Sequence, residues 1–494
     1  MNTLRLISRV APVGVAIALA ACSVGPRYTP APVVPATVKV GTPPYADSLR
    51  PFYDSLASAR GGVSATSPEG KPRVRQEPPP YIGDAAWTRI IDDTVLAGLI
   101  RRAVEQNRDV ALAKARIAEY RANYGAVNGA LFPRVTLNTS AAKNQSAFGA
   151  GAPVNFDALR ATADIAWELD FWGRARRGQE AFGADLAAQE AAERATVLTL
   201  VSDVASGYLQ LLELDEERAI SERTLASRRA MLDLARQRFA QGITSELDVR
   251  QFEAQLAVPT GRLAQVTRQR AQQEHALNVL LGEAPTAVQR GGSLLAATRA
   301  VFVPDSMPAS LLDRRPDVAQ AERAVAAATA RAGIAEAARL PSVSITSFYG
   351  SQADAGNRLF ASGTAVYTLQ AGVSFPLYTG GRLKNEAAAA RARADQAKAA
   401  YEKTALTALR EAGDAIVAAR TTRDEVSAAE TQVAALGRAL DLATLRYQAG
   451  VSSYLEVLDA QRSQYDAELA LAQTRLRQLV ATVQLYKALG GAWE

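Results

Sequence analysis

Leu234-Ala-Arg-Gln-Arg-Phe-Ala-Gln-Gly-Ile-Thr-Ser-Glu-Leu-Asp-Val249 recurs 208 residues later as Leu442-Ala-Thr-Leu-Arg-Tyr-Gln-Ala-Gly-Val-Ser-Ser-Tyr-Leu-Glu-Val457. Outward from this stretch the offset holds without a gap. Asn107-Arg-Asp-Val-Ala falls on Arg315-Pro-Asp-Val-Ala, Pro133 on Pro341, Arg174 on Arg382 and Leu281-Gly282 on Leu489-Gly490. A unit of this length is half a fold, much larger than a solenoid repeat. The sequence therefore predicts an internal duplication with pseudo-twofold symmetry. The first repeat spans 85–282, the connection 283–310 and the second repeat 311–494.

Each half reads as helix, strand, strand, very long helix, return helix. From Asp92 to Ala130 helix formers dominate, with Leu96, Leu99, Ala103 and Val110 at helical spacing, and Pro133 ends the pattern. The period then changes to two. Val135, Leu137 and Thr139 alternate with Arg134, Thr136 and Asn138, and Ala161, Ala163, Ile165, Trp167 and Leu169 alternate with polar Thr162, Asp164, Glu168 and Asp170. In the second half Tyr367, Leu369, Ala371, Val373 and Phe375 alternate with Thr368, Gln370, Gly372 and Ser374. Such strands suit a barrel wall with lipid outside and water inside, or equally the half-buried sheet of a soluble protein. The segments from Ser146 to Phe156 and from Ala353 to Gly363 read as hairpin tips.

From Ala175 to Ala240 there is no proline, and Val197, Val201, Val204, Tyr208 and Leu211, then Leu225, Leu232 and Phe239, follow a coiled-coil seam. Such a helix is roughly 100 Å long. Gly242 turns the chain, Thr244 or Ser245 caps a return helix to Leu281, and Pro259 is expected to kink it. The return helix and the first helix together match the long helix in length, so they stack end to end beside it as a second column.

The ends and composition narrow the class. Arg5 and Arg9 precede an apolar run from Val10 to Leu19, so residues 1–21 read as a signal peptide too short to span a bilayer. Cys22, the sole cysteine, follows small residues as in a lipobox, which makes it the candidate lipidated first residue, and an intrachain disulfide is excluded. The stretch 22–84 is rich in proline, either disordered or wrapped along a folded body. The net charge of +6 is spread over mixed-sign helices and gives no nucleic-acid signature. No other run approaches ~18 uninterrupted apolar residues, so a membrane crossing would have to use strands. Four strands close no barrel, so the chain must associate. Two copies give eight strands and three give twelve, and the larger number leaves a water-filled lumen.

The lipobox, the opening Cys22-Ser-Val-Gly-Pro-Arg-Tyr28, Trp167-Glu-Leu-Asp-Phe-Trp-Gly-Arg174, Phe375-Pro-Leu-Tyr-Thr-Gly-Gly-Arg382, Arg446-Tyr-Gln-Ala-Gly-Val-Ser-Ser-Tyr-Leu-Glu-Val-Leu-Asp-Ala-Gln-Arg462 and the closing Leu485-Tyr-Lys-Ala-Leu-Gly-Gly491 motif region together resemble the outer-membrane efflux proteins related to TolC, most closely the lipidated branch that includes OprM. The resemblance covers essentially the whole mature chain. It implies an α+β membrane protein: a homotrimer whose twelve-stranded β-barrel crosses the outer membrane and continues as a long α-helical periplasmic tunnel. It also implies partners, a periplasmic adaptor and an RND-type inner-membrane pump, and neither cofactor nor catalysis.

By the same resemblance the tunnel narrows at the helix tips. Tyr447, Leu455 and Asp459 match gate positions, and Glu456 and Asp248, themselves 208 apart, fall where other members place acids. The alternative for Asp459 and Glu456 is that they are solvated helix positions. Ser452 stands where some relatives carry a tethering arginine. Gly242 and Gly450 mark surfaces for the adaptor's hairpins, or simply helix turns. Trp167, Trp172 and Tyr378 read as interfacial aromatics or as rings buried under a loop. No nucleophile with a base, metal cluster or phosphate loop is present in the sequence. The expected function is the exit duct of a tripartite pump exporting small molecules such as drugs. A duct for type I protein secretion would share every motif, and a non-pore coiled-coil lipoprotein scaffold is the reading from another class.

Overall fold

The structure, a computed structural model, describes residues 24–26, 28, 37–39, 93–146, 154–295, 306–308 and 311–491. The signal segment, Cys22 and most of the proline-rich stretch lie outside the described residues. The elements are β1 (Thr37–Lys39), α1 (Thr94–Gln106), α2 (Arg108–Gly129), β2 (Arg134–Ser146), β3 (Val154–Leu169), α3 (Arg174–Ala240), α4 (Glu246–Leu281), β4 (Ser306–Pro308), α5 (Leu311–Arg314), α6 (Pro316–Ala337), β5 (Ser342–Ala353), β6 (Ala365–Ser374), α7 (Arg382–Gln448) and α8 (Tyr454–Ala488). They fall into two compact units. One comprises Met1–Pro32, Lys114–Ala191 and Ala319–Thr404, the other Val33–Ala113, Ala192–Val318 and Ala405–Glu494.

The first unit holds an antiparallel sheet in the order β2-β3-β5-β6. Paired residues of antiparallel strands share a face. The register sets Val135, Ile165, Ser347 and Leu369 in one row and Leu137, Ala163, Tyr349 and Tyr367 in the next. The opposite face carries Thr136, Asp164, Phe348 and Thr368. Leu137, Tyr367 and Leu369 are 77–79% exposed. A soluble half-buried sheet would cover that apolar face; here, among the described residues, it is open, as is much of the polar face, including Thr136, Thr346 and Gln370.

The first described residues are docked on this unit. The Val24 amide donates to Trp172 O at 3.0 Å, and Arg177 Nη2 donates to Gly25 O at 3.3 Å. Gly25, at φ +101°, lies so close that a Cβ would come within 2.6 Å of Gly333 Cα. Tyr28 donates to Glu322 at 3.1 Å. In the other unit β1 pairs with β4, so the N-terminal stretch, where described, follows the folded body.

Apart from that strand pair, the described residues of the second unit are mainly helical. The single helix expected over Asp92–Ala130 is two, broken at Asn107, whose extended backbone lets Oδ1 accept from the Asp109 and Val110 amides and cap α2. Asn107 Nδ2 donates to Leu280 O at 2.9 Å, which sets the end of α4 against the start of α2 as the length argument requires. Arg315 Nη1, 208 residues on, donates to Ala488 O at 3.2 Å, the carbonyl at the same offset from Leu280 O. Gly173 and Gly381, Gly242 and Gly450, and Gly282 and Gly490 are pairs with positive φ at this offset. α3 and α7 are each 67 residues long.

The core of this unit is thicker than a seam. Leu198, Leu200, Val204, Ala205, Tyr208, Leu209, Leu211 and Leu212 are all buried, packed by Leu96, Leu99, Leu277, Ile416 and Leu485. Part of α3 is long and apolar enough to cross a membrane by length and composition, and half of that part is buried. Its apolarity is that of a core helix. Farther along, Leu232 is buried, but Phe239 is exposed, so the expected seam ends before the helix does.

Candidate functional site: the helix tips

Both long helices end in the same turn. The Gly242 amide donates to Phe239 O at 2.9 Å and the Ile243 amide to Arg238 O at 2.9 Å; the Gly450 amide donates to Tyr447 O at 3.1 Å and the Val451 amide to Arg446 O at 3.0 Å. This is the Schellman pattern, which places a residue at positive φ and so favours glycine, here at φ +72° and +73°. A Cβ at either glycine would meet open space.

The return helices start differently. Ser245 Oγ accepts from the Asp248 amide, and Asp248 Oδ2 accepts from the Ser245 amide at 3.2 Å, a capping box. Thr244 Oγ1 also donates to Asp248 Oδ2, at 2.5 Å, and this bond first of all holds the carboxyl below the usual carboxylate range. The acid expected at the gate is thus engaged in fastening its own helix. Its counterpart Glu456 lies instead 3.6 Å from Arg446, and Ser453 makes no side-chain cap bond. Ser452 Oγ and Tyr454 Oη are buried without a protein partner. A side-chain cap is worth about 1 kcal/mol, so without one at Ser453 α8 starts less securely than α4.

Behind the turns lies an apolar cluster of Leu232, Ala235, Val249, Phe252, Tyr454 and Val457. The Phe252 and Tyr454 ring centroids are 3.7 Å apart, and Tyr447 lies 5.9 Å from Tyr454. Arg238 sits 5.0 Å above the Tyr447 ring. The first and second halves therefore meet through aromatic rings. The sequence marks Phe252 and Tyr454 only by their helical spacing with Val249 and Val457.

Tyr447 is half-buried, whereas Leu455, Glu456 and Asp459 are exposed. Ile243, Leu247, Val451 and Leu455 are 65–70% exposed and form two pairs at the 208 offset. The tips thus present acids and unpaired apolar side chains outward from an aromatic base.

The three aromatics at the strand ends sit in the first unit. The Trp167 indole donates to Leu131 O at 3.1 Å and the Trp172 indole to Pro341 O at 2.5 Å. Tyr378 is almost fully exposed, so the buried-ring reading fails for it. Trp172 lines a cavity of about 280 Å³ with Glu168, Asp170, Arg174, Pro341 and Arg382. Among the described residues no cluster of His, Cys, Asp and Glu could hold a metal ion.

A profile of the outer membrane efflux protein family matches residues 99–283 and 307–491. The toluene efflux pump outer membrane protein TtgC of Pseudomonas putida is 33% identical over 416 residues, 83% of this chain and 86% of that protein. The toluene efflux pump outer membrane protein TtgF of the same species is 31% identical over 490 residues, 98% of this chain and 96% of that one. The solved outer-membrane channel OprN has a TM-score of 0.82 at 29% identity and covers 96% of this chain and 100% of its own. The chain belongs to the outer membrane efflux protein family. It is an outer-membrane channel of an efflux pump, the component of a tripartite assembly that works with an adaptor and an inner-membrane transporter.

Proposed function

We propose that three copies of this internally duplicated chain close a twelve-stranded barrel, and that the helix tips gate the tunnel that continues it. The observation that carries this reading is the sheet with an open apolar face and two unpaired edges, β2 and β6. From Leu159 to Leu169 the apolar face of β3 covers ten residue steps, about 33 Å of strand, or roughly 25 Å of height at a barrel tilt of ~40°. Lys143 and Asp157, paired across β2 and β3, are the charged residues above that band on the same face. Trp167, Trp172 and Tyr378 then mark the periplasmic interface.

Tyr447, Leu455, Glu456 and Asp459 form the constriction, and Asp248 stiffens the neighbouring tip. The weaker start of α8 supports the second half as the one that yields. Three copies of Asp459 make an acidic ring that attracts cations. Gly242 and Gly450, with the exposed apolar residues beside them, receive the adaptor. Cys22 carries the acyl anchor. The matched proteins include toluene, solvent and antibiotic pump components, and small molecules of those kinds are the exported class.

Single-channel recording in planar bilayers tests the gate. Tyr447→Phe with Asp459→Ala raises the resting open probability by roughly five- to tenfold, the size of one or two lost tip interactions; wild-type conductance in that variant removes the assignment. The intact mass of the same preparation reads the acyl chains on Cys22, and an unmodified mass refutes the anchor.

A further inference from the structure

α4 carries Pro259 in its interior, where the ring supplies no N–H. The carbonyl four residues back, Gln255 O, therefore lacks its helical donor. Arg228 of α3 supplies one: Nη1 donates to Gln255 O at 2.7 Å. The residue is 3% exposed, and its guanidinium lies 5.3 Å from the ring centroid of Tyr465 on α8. Tyr465 shares a 3.1 Å hydrogen bond with Ser221 of α3. The direct contacts of Arg228 are thus a carbonyl and a ring face, with the charge of Asp466 acting from farther off, an expensive way to bury a cation unless that carbonyl needs a donor. One side chain joins three helices at the place where α4 cannot bond to itself.

The duplication isolates the device. At the 208 offset Arg228 becomes Leu436 and Pro259 becomes Ala467, so α8 has neither the break nor the tie. Beyond the proline, the segment from Glu246 to Val258 is a lever roughly 20 Å long. Its outer end is fixed by the Ser245–Asp248 box, and it carries Val249 and Phe252 against Tyr454. The direction of the lever is thereby passed to the first two turns of α8, where Leu455, Glu456 and Asp459 stand. We propose that Arg228 is a positioning residue for the tip, bracing α4 at the gap that Pro259 leaves in its hydrogen-bond ladder and so setting the resting aperture. This rests on the gate reading above.

The test uses the full-length protein in planar bilayers as Arg228→Met, Pro259→Ala and the double variant. R228M is expected to raise the resting open probability about tenfold, as when one buried acceptor loses its donor. P259A restores the helical N–H to Gln255 O, so R228M in that background changes conductance little. A wild-type open probability in R228M overturns the proposal, as does an equal increase with and without P259A. Should R228M not assemble, deuterium uptake over residues 246–258 in Arg228→Lys decides: uptake that rises and is abolished by P259A supports the tie, and unchanged uptake overturns it. Failure of the gate reading shows separately, as Tyr447→Phe with Asp459→Ala leaving conductance unchanged.

Discussion

Glu213 and Glu217 stand one turn apart on α3, 3% and 1% exposed. Arg262 Nη2 of α4 donates to both Glu217 oxygens at 2.7 and 2.6 Å, and Gln473 Nε2 of α8 adds a bond at 3.1 Å. Gln210 of α3 reaches Glu213 at 3.4 Å. One guanidinium does not neutralise two buried carboxylates, so burial, and then the charge of Glu217, push Glu213 up to about 8. Between its ordinary value of 4.5 and about 8 the unfolded chain gives up this proton and the folded chain keeps it. Stability therefore falls as pH rises through that window, because the native state binds more protons there. Glu213→Gln should remove this slope. Thermal unfolding near pH 5 and near pH 8.5 measures it, and a variant that gains nothing over wild type at the higher pH contradicts the assignment. The same scale explains Asp248: an acid that reads as a gate residue is spent on a cap because Thr244 and Ser245 lie within its reach.

At the scale of elements, each strand is defined by the face it shows. Leu369 lies in the middle rows of the apolar face and Gln370 on the polar one. Leu369→Arg costs about 2–4 kcal/mol if that face meets lipid, enough to deplete the membrane-inserted form, whereas Gln370→Arg on the water side costs little. The recovery of both variants in the outer-membrane fraction checks this, and equal recovery would argue against a lipid-facing wall. Among the helices, the period-two and heptad patterns carried the strands and α3 because each is a local rhythm of side chains. The break at Asn107 is missed by the pattern because helix formers stand on both sides of it, although an Asn followed by Arg-Asp is a helix-start signal. The consequence of Pro259 was not legible, since its donor is 27 residues from Gln255 in the chain.

For the whole molecule, β2 and β6 are the outer strands of the sheet and, among the described residues, pair on one side only, which leaves amides that lipid does not satisfy. Cysteines at Leu137 on β2 and Leu369 on β6, joined by a short flexible cross-linker in membranes, should give a ladder ending at trimers. A ladder that stops at dimers, or monomers alone, refutes the twelve-stranded barrel. The amino-acid sequence by itself determined the repeat, the order of elements and the glycine turns at both tips. These follow from composition, periodicity and the left-handed backbone of single residues, all of which act over a few neighbours. The tertiary structure alone decided that the apolar face of the sheet stays uncovered, that Phe252 and Tyr454 join the two halves, and that Arg228 completes the ladder at Pro259. Those outcomes depend on contacts between residues far apart in the chain, where packing and the pairing of buried polar groups choose among partners that local pattern leaves equivalent.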